Sequence, residues 1–163
     1  MSNSENKSSY LPIYLIFAYV ILTNLLISFH TNFASFMPNF MASFFLVFSF
    51  FKLLDLKGFA DGFSRYDIVA KHFLFYAYVY PFLELIFGFS YIVTPNNLGL
   101  NIIVFIVMLL ATIGVILSKL QKQQFNCACV GTFLKVPLGN IAIIEDLLMV
   151  IMAFLMIIKI HNI

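Results

Sequence analysis

Apolar residues come along this chain in five long runs, each too continuous for the alternation of a half-buried strand and each closed by a short polar stretch. The runs are "YLPIYLIFAYVILTNLLISF" (Tyr10 to Phe29), "FMPNFMASFFLVFSFFKLL" (Phe36 to Leu54), "FLFYAYVYPFLELIFGFSYIV" (Phe73 to Val93), "LNIIVFIVMLLATIGVILS" (Leu100 to Ser118) and "LGNIAIIEDLLMVIMAFLMII" (Leu138 to Ile158). A helix needs about 20 such residues to cross a hydrocarbon core about 30 Å thick. In lipid only a helix or a closed barrel satisfies its own backbone polar groups, so each run is expected to be helical. Pro12 falls in the first turn of the first run, where a missing amide costs little. That run follows Lys7 and could be mistaken for a secretory signal. It is long for an apolar signal core and no small-x-small cleavage site follows, so it is expected to stay as a helix.

Between the runs, Lys52 to His72 is the longest polar stretch, with Gly58 and the Asp61-Gly62 pair as turn signals. Its apolar Phe59, Phe63, Ile68 and Val69 are spaced as on one side of a short helix, which predicts a segment lying at the membrane interface. "TPNNLG" is a tight turn, "KLQKQQFNCACVGTFLKVP" the second substantial loop, and residues 1 to 9 a polar tail.

Composition sharpens this picture. Of 163 residues, 63% are hydrophobic and 10% charged, against about 25% charged in soluble domains. The expected fold class is an all-α integral membrane protein of about five transmembrane helices, with no room for a separate soluble domain. A net charge of +2 offers no basic face for nucleic acid. No internal repeat, phosphate-binding glycine loop, dinucleotide fingerprint or HExxH metal motif is present, and no hydrolase or transferase motif. With five spans, the N-terminus and the loops at 52–72 and 119–137 share one side. They carry Lys7, Lys52, Lys57, Arg65, Lys71, Lys119, Lys122 and Lys135, leaving Lys159 alone opposite. The positive-inside rule makes the first side cytoplasmic.

A few residues could carry chemistry. Cys127 and Cys129, the only two cysteines, stand one residue apart in the second loop, with Gly131 and Pro137 shaping the backbone. Such a pair suits a redox dithiol, a soft-metal ligand pair, or attachment of a partner through a mixed disulfide. A disulfide between residues i and i+2 closes a small, strained ring that is easily reduced. The bland alternative is two unreactive loop thiols. Glu84, eleven residues into the third run, sits about 16 Å along it and so near the bilayer midplane. An ionisable group there is a functional candidate by default, or else a protonated acid bonded to another helix. Pro81 precedes it by three residues and would bend the helix nearby. Glu145 and Asp146 begin roughly 10 Å inside the fifth run and point about 100° apart, so at most one faces a given partner squarely. Lys52 and Asp55 are spaced to pair along one helix; alternatively one of them reaches Glu145 or Asp146 and forms a polar floor beneath the thiols. His30, His72 and His161 share no ligand spacing, and Tyr76, Tyr78 and Tyr80 read as packing and interfacial anchors.

Three stretches together suggest a family. "CACVGTFLKVPLGNIAIIEDL" resembles the C-x-C-[FV]-G and following P-[LV]-G at the head of the last helix in the MauE family. "FFKLLDLKGFADGF" and "YPFLELIFG" look like the corresponding helix end and the P-x-x-E-x-x-x-G signature shared by MauE and DoxX-like membrane proteins. The likeness covers roughly residues 36 to 160. It implies a compact four-helix bundle over 36–163, with residues 10–35 as an extra N-terminal transmembrane helix packed beside it. It also implies a role like that of MauE, associated with maturation of methylamine dehydrogenase, whose small subunit needs many disulfides. Carried over, Cys127 and Cys129 would be the redox pair and Glu84 the buried acid, in a bacterial inner membrane.

The leading expectation is therefore a redox-associated membrane protein whose two thiols cycle between dithiol and disulfide, with a quinone or a thioredoxin-like protein as partner. Glu84 or Glu145 would relay the protons. A second expectation is a soft-metal handler in which Cys127 and Cys129 capture Cu(I) or Hg(II) and exchange it with a metal-carrying protein, with intramembrane carboxylates for charge balance. A third is a scaffold subunit whose polar residues only hold its own helices together.

Overall fold

The computed structural model describes residues 11–30, 35–120 and 140–161, and these are all helix and connection, without a strand. The helices are α1 (Leu11–His30), α2 (Phe36–Leu54), α3 (Leu56–Phe63), α4 (Leu74–Val93), α5 (Leu98–Leu120) and α6 (Asn140–His161). A helix lies over each of the five apolar runs, with ends displaced by up to three residues, and the polar stretch after α2 contributes the short α3. By length and composition, α2, α4 and α5 are able to cross a membrane, while the apolar segment Tyr14–Phe29 of α1 is shorter. Helix α6 carries Glu145, Asp146 and Lys159 within its 22 residues.

The break between α2 and α3 is local chemistry. Asp55 leaves helical geometry at φ −137°, ψ 70°, and its side chain accepts the Gly58 amide at 2.9 Å. One residue thus ends α2 and caps α3, satisfying an amide the new helix would otherwise leave open. Helix α3 then buries Phe59, Ala60 and Phe63. The expected interfacial helix exists, but it stops at Phe63; of the two further apolar positions read as part of it, Ile68 is exposed and Val69 lies in the following turn.

Helices α2 and α4 pack closely because Gly88 has no side chain: a Cβ there would fall 2.8 Å from Leu46 Cγ. Small residues allow such approach where lipid supplies no hydrophobic drive. Phe45 meets Phe87 edge-on and stacks on Tyr91. This register sets the last turn of α2 level with the middle of α4. The first half of α4 runs on past α2 and is covered by α3, where Phe59 and Phe63 lie on Tyr80. Pro81 sits inside α4 without ending it. Helices α5 and α6 form the other antiparallel pair. At the opposite end of the bundle, the Tyr91 hydroxyl donates to Asn101 Oδ1 at 2.9 Å, joining α4 to α5. Helix α1 lies outside, its Phe17 against Phe44 and Phe48 and its buried Asn24 accepting from Ser43 at 3.4 Å. The remaining face of α1 shows Tyr14, Tyr19, Leu22 and Phe29 to the surroundings, as a lipid-facing helix does.

Two apolar clusters result. One joins α1, α2, α4, α5 and α6 around Phe45, Phe48, Met108 and Met149. The other joins α3, the following connector and the early part of α4 around Phe59, Phe63, Tyr66 and Tyr80. Glu84 is on α4 between Tyr80 of the second cluster and Phe87 of the first, so an acid only 2% exposed sits where the two meet.

Candidate functional site

Lys52 in the last turn of α2 reaches Glu84 on α4, with Nζ 2.5 Å from Oε1 and 2.6 Å from Oε2. Both residues are buried, at 7% and 2% exposure. An ammonium facing both oxygens of one carboxylate is a charge-assisted contact of the strong kind. The ammonium also lies 5.4 Å from the centre of the Phe59 ring and 5.2 Å from that of Tyr80, within reach of cation–π attraction. Removing two charges from water costs several kcal/mol each unless their partners compensate, so a pair held this deep is expensive to keep unless both members stay in place.

Lys52 therefore pairs across the helix interface instead of along its own helix with Asp55, whose carboxylate is committed to capping α3. Asp146 of α6 comes to the same place. Together with Lys52, Tyr66, Tyr80 and Ala111 it borders a small pocket of about 20 Å³, room for one water molecule beside polar partners. The Tyr80 hydroxyl points at Met108 Sδ, 3.7 Å away. Glu145, the neighbour of Asp146, is buried at 3% exposure, and its Oε1 has no hydrogen-bond partner among the described residues. Three carboxyl groups and one ammonium thus share the interior at one end of the bundle.

That end is also the end at which α5 finishes and α6 begins, at Leu120 and Asn140. Asn140 is six residues before Asp146, about 9 Å along the helix. Cys127 and Cys129 belong to the connection between those two points and lie outside the described residues. Of the four residues expected to form a polar floor, Lys52 and Asp146 border one pocket, Glu145 is alongside, and Asp55 caps α3 instead. Glu84 joins it, although its pairing with Lys52 could not be read from spacing in the chain. Tyr80, one turn before Glu84 and so on the same face of α4, was read as packing and interfacial anchoring and is packed here; its i, i+4 relation to a buried acid is the signal that places it at the site as well.

Just outside the helices the connector 64–73 carries a further buried acid. Asp67 Oδ1 accepts the amides of Val69 and Ala70 at 2.9 and 2.8 Å and folds the connector onto the bundle. Burial pushes its carboxyl above the usual carboxylate range, and the Ala70 and Val69 amides offset part of that rise. The connector is seated against α5 at Gly114, where a Cβ would lie 2.9 Å from the Tyr66 carbonyl oxygen. None of the described residues forms a group of three or more His, Cys, Asp or Glu that could hold a metal ion.

A helical bundle with candidate membrane spans, closed at one end around a buried lysine–carboxylate cluster, defines an integral membrane protein. Residues 30–159 match the family described as methylamine utilisation protein MauE, and the chain belongs to that family. Neither the curated proteins nor the solved structures compared with it gave a match.

Proposed function

We propose that this is a redox-associated membrane protein of methylamine utilisation, in which Cys127 and Cys129 exchange a disulfide with a protein partner and the cluster around Lys52 handles the accompanying protons. In the direction that oxidises the partner, a partner thiolate attacks the Cys127–Cys129 disulfide and a mixed disulfide forms. The second partner thiolate then attacks that bond. The partner gains a disulfide, and the cysteine pair takes two electrons and two protons. A second disulfide or a quinone restores the pair by accepting them.

One observation carries this reading. The connection bearing the only two cysteines is anchored at Leu120 and Asn140, at the end of the bundle where Lys52, Glu84, Glu145 and Asp146 collect around a water-sized pocket. Thiol exchange runs through thiolates and so needs nearby groups that take up and return protons. Five spans, residues 36–163 as a MauE-like bundle with α1 outside it, and a bacterial inner membrane with the cysteine loop on the cytoplasmic side complete the proposal. The charge distribution supports that orientation.

The test is trapping. Cys127→Ser and Cys129→Ser are each expected to abolish exchange; in the reverse direction, where a thiolate of this chain attacks the partner's disulfide, serine at the resolving position should accumulate a reducible, higher-mass adduct with the oxidised partner on a non-reducing gel. Unchanged exchange in both variants refutes the redox reading. Tight Cu(I) binding lost in both, with the pair always reduced, replaces it with soft-metal handling.

A further inference from the structure

A second polar feature lies apart from the Lys52 cluster. Between the connector 64–73 and the last turns of α5 runs a groove of about 190 Å³, bordered by Arg65, Lys71 and His72 on the connector and by Leu117 and Ser118 on α5. We propose that this groove holds the phosphate group of an anionic phospholipid.

The position is the first argument. The groove opens where α4 begins and α5 ends, two helices able to cross a membrane, and so at the depth of lipid headgroups. Basic pockets between membrane helices at that depth bind anionic headgroups.

The chemistry of the lining is the second. Lys71 and His72 are exposed side chains on a connector that is held in shape rather than trailing free. Asp67 clamps its backbone, Tyr66 and Ala70 are buried beneath it, and Gly114 lets it lie directly on α5. His72 Nδ1 lies 3.0 Å from the Ile68 carbonyl oxygen, which ties the ring to the connector. Ile68 and Leu117 add apolar surface, 37% and 44% exposed, of the kind that the first carbons of an acyl chain would cover. The one acid on the groove, Asp67, has its Oδ1 turned to two backbone amides, and burial favours its uncharged form.

The third argument is independent of charge. Ser118 is 4% exposed, and its hydroxyl has no hydrogen-bond partner among the described residues. A helical serine commonly returns its proton to the carbonyl four residues back. An orphaned buried donor in the wall of a cationic groove calls for an acceptor, and a phosphate oxygen supplies one.

The experiment uses the full chain in nanodiscs of phosphatidylcholine doped with phosphatidylglycerol, reading the lipid retained by native mass spectrometry. Phosphatidylglycerol is expected to be retained in preference to phosphatidylcholine. Lys71→Gln should lower that preference about fivefold, the worth of one interfacial cation. Ser118→Ala removes a contact to the phosphate itself and should lower the amount of phosphatidylglycerol retained about tenfold. In maltoside micelles, which carry no phosphate, Ser118→Ala should melt no lower than the parent, because it removes an unsatisfied polar group; that separates loss of binding from loss of fold. Equal retention of the two lipids, or a preference that survives both substitutions, overturns the proposal. Displacement of phosphatidylglycerol by millimolar inorganic phosphate also overturns it, assigning the groove to a soluble anion.

Discussion

Lys52→Met keeps the length and packing of the lysine stem and removes only the ammonium, which isolates the worth of the buried pair. Glu84 is 2% exposed, and both its oxygens are turned to Lys52 Nζ. Without the lysine it is left charged in an apolar interior or must take up a proton, and isolated buried carboxylates do the latter. Protonating an ordinary aqueous glutamate at pH 7 costs about 3.7 kcal/mol, at about 1.4 kcal/mol per pH unit. Losing the contacts of the ammonium with Phe59 and Tyr80 adds about 1 kcal/mol. The sum lies at the upper end of the roughly 3–5 kcal/mol expected for breaking a buried pair. A loss of this size should shrink on acidification, by about 1.4 kcal/mol for each pH unit between pH 7 and pH 5, as the cost of protonating an ordinary aqueous glutamate falls. Lys52→Met with Glu84→Leu should recover most of the loss, since no unpaired group remains. Reversible unfolding of the four proteins of this cycle in mixed micelles, followed by circular dichroism at pH 7 and pH 5, measures each term. Additive single and double effects, or a Lys52→Met loss independent of pH, would refute the reasoning.

Other outcomes follow from single contacts. Asp67→Asn retains the acceptor for Val69 and Ala70 and sheds the ionisation penalty, so it should be as stable as the parent or more so at neutral pH; Asp67→Ala should lose about 1–3 kcal/mol. Because the folded-state carboxyl is raised, the folded chain binds more protons. Asp67 should therefore make the parent lose stability as pH rises from the ordinary aspartate range through its raised value, a contribution that Asp67→Asn removes, so the melting curves of the variant should show a shallower slope. Gly114→Ala drives a methyl group against connector backbone and should cost about 1–3 kcal/mol. Gly88→Ala meets mainly the flexible Leu46 side chain, and the gain of about 1 kcal/mol in helix propensity offsets much of that clash; equal melting losses for the two would contradict the packing described here.

What could be read from the chain was what repeats along it. Five apolar runs gave five helices, because in a membrane length and hydropathy are the fold's main constraint, and the spacing of Phe59 and Phe63 marked α3. The pairing of Lys52 with Glu84 was hidden, since it depends on how α2 and α4 are rotated and slid against each other, and that is set by contacts such as Gly88 on Leu46 which leave no periodic trace. Local spacing suggested Asp55 as the partner of Lys52; the cap on Gly58 competes for that carboxylate and wins. Asp67 and Ser118 escaped notice for a similar reason. One stands in a polar stretch and the other at a helix end, positions where exposure is the ordinary expectation, and only the fold of the connector over Gly114 buries them. The family resemblance was legible because its three motifs occur in order along the chain, whatever their arrangement in space.

The most direct test of the account is the redox state of the cysteine pair in living cells, fixed by acid quenching and read as the mass added by a polyethylene-glycol maleimide. The account predicts two populations, unlabelled and doubly labelled. Oxidant should shift the chain to the first and dithiothreitol to the second, and Glu84→Gln should slow the change between them. Two labels per chain under every condition, oxidant included, would contradict it.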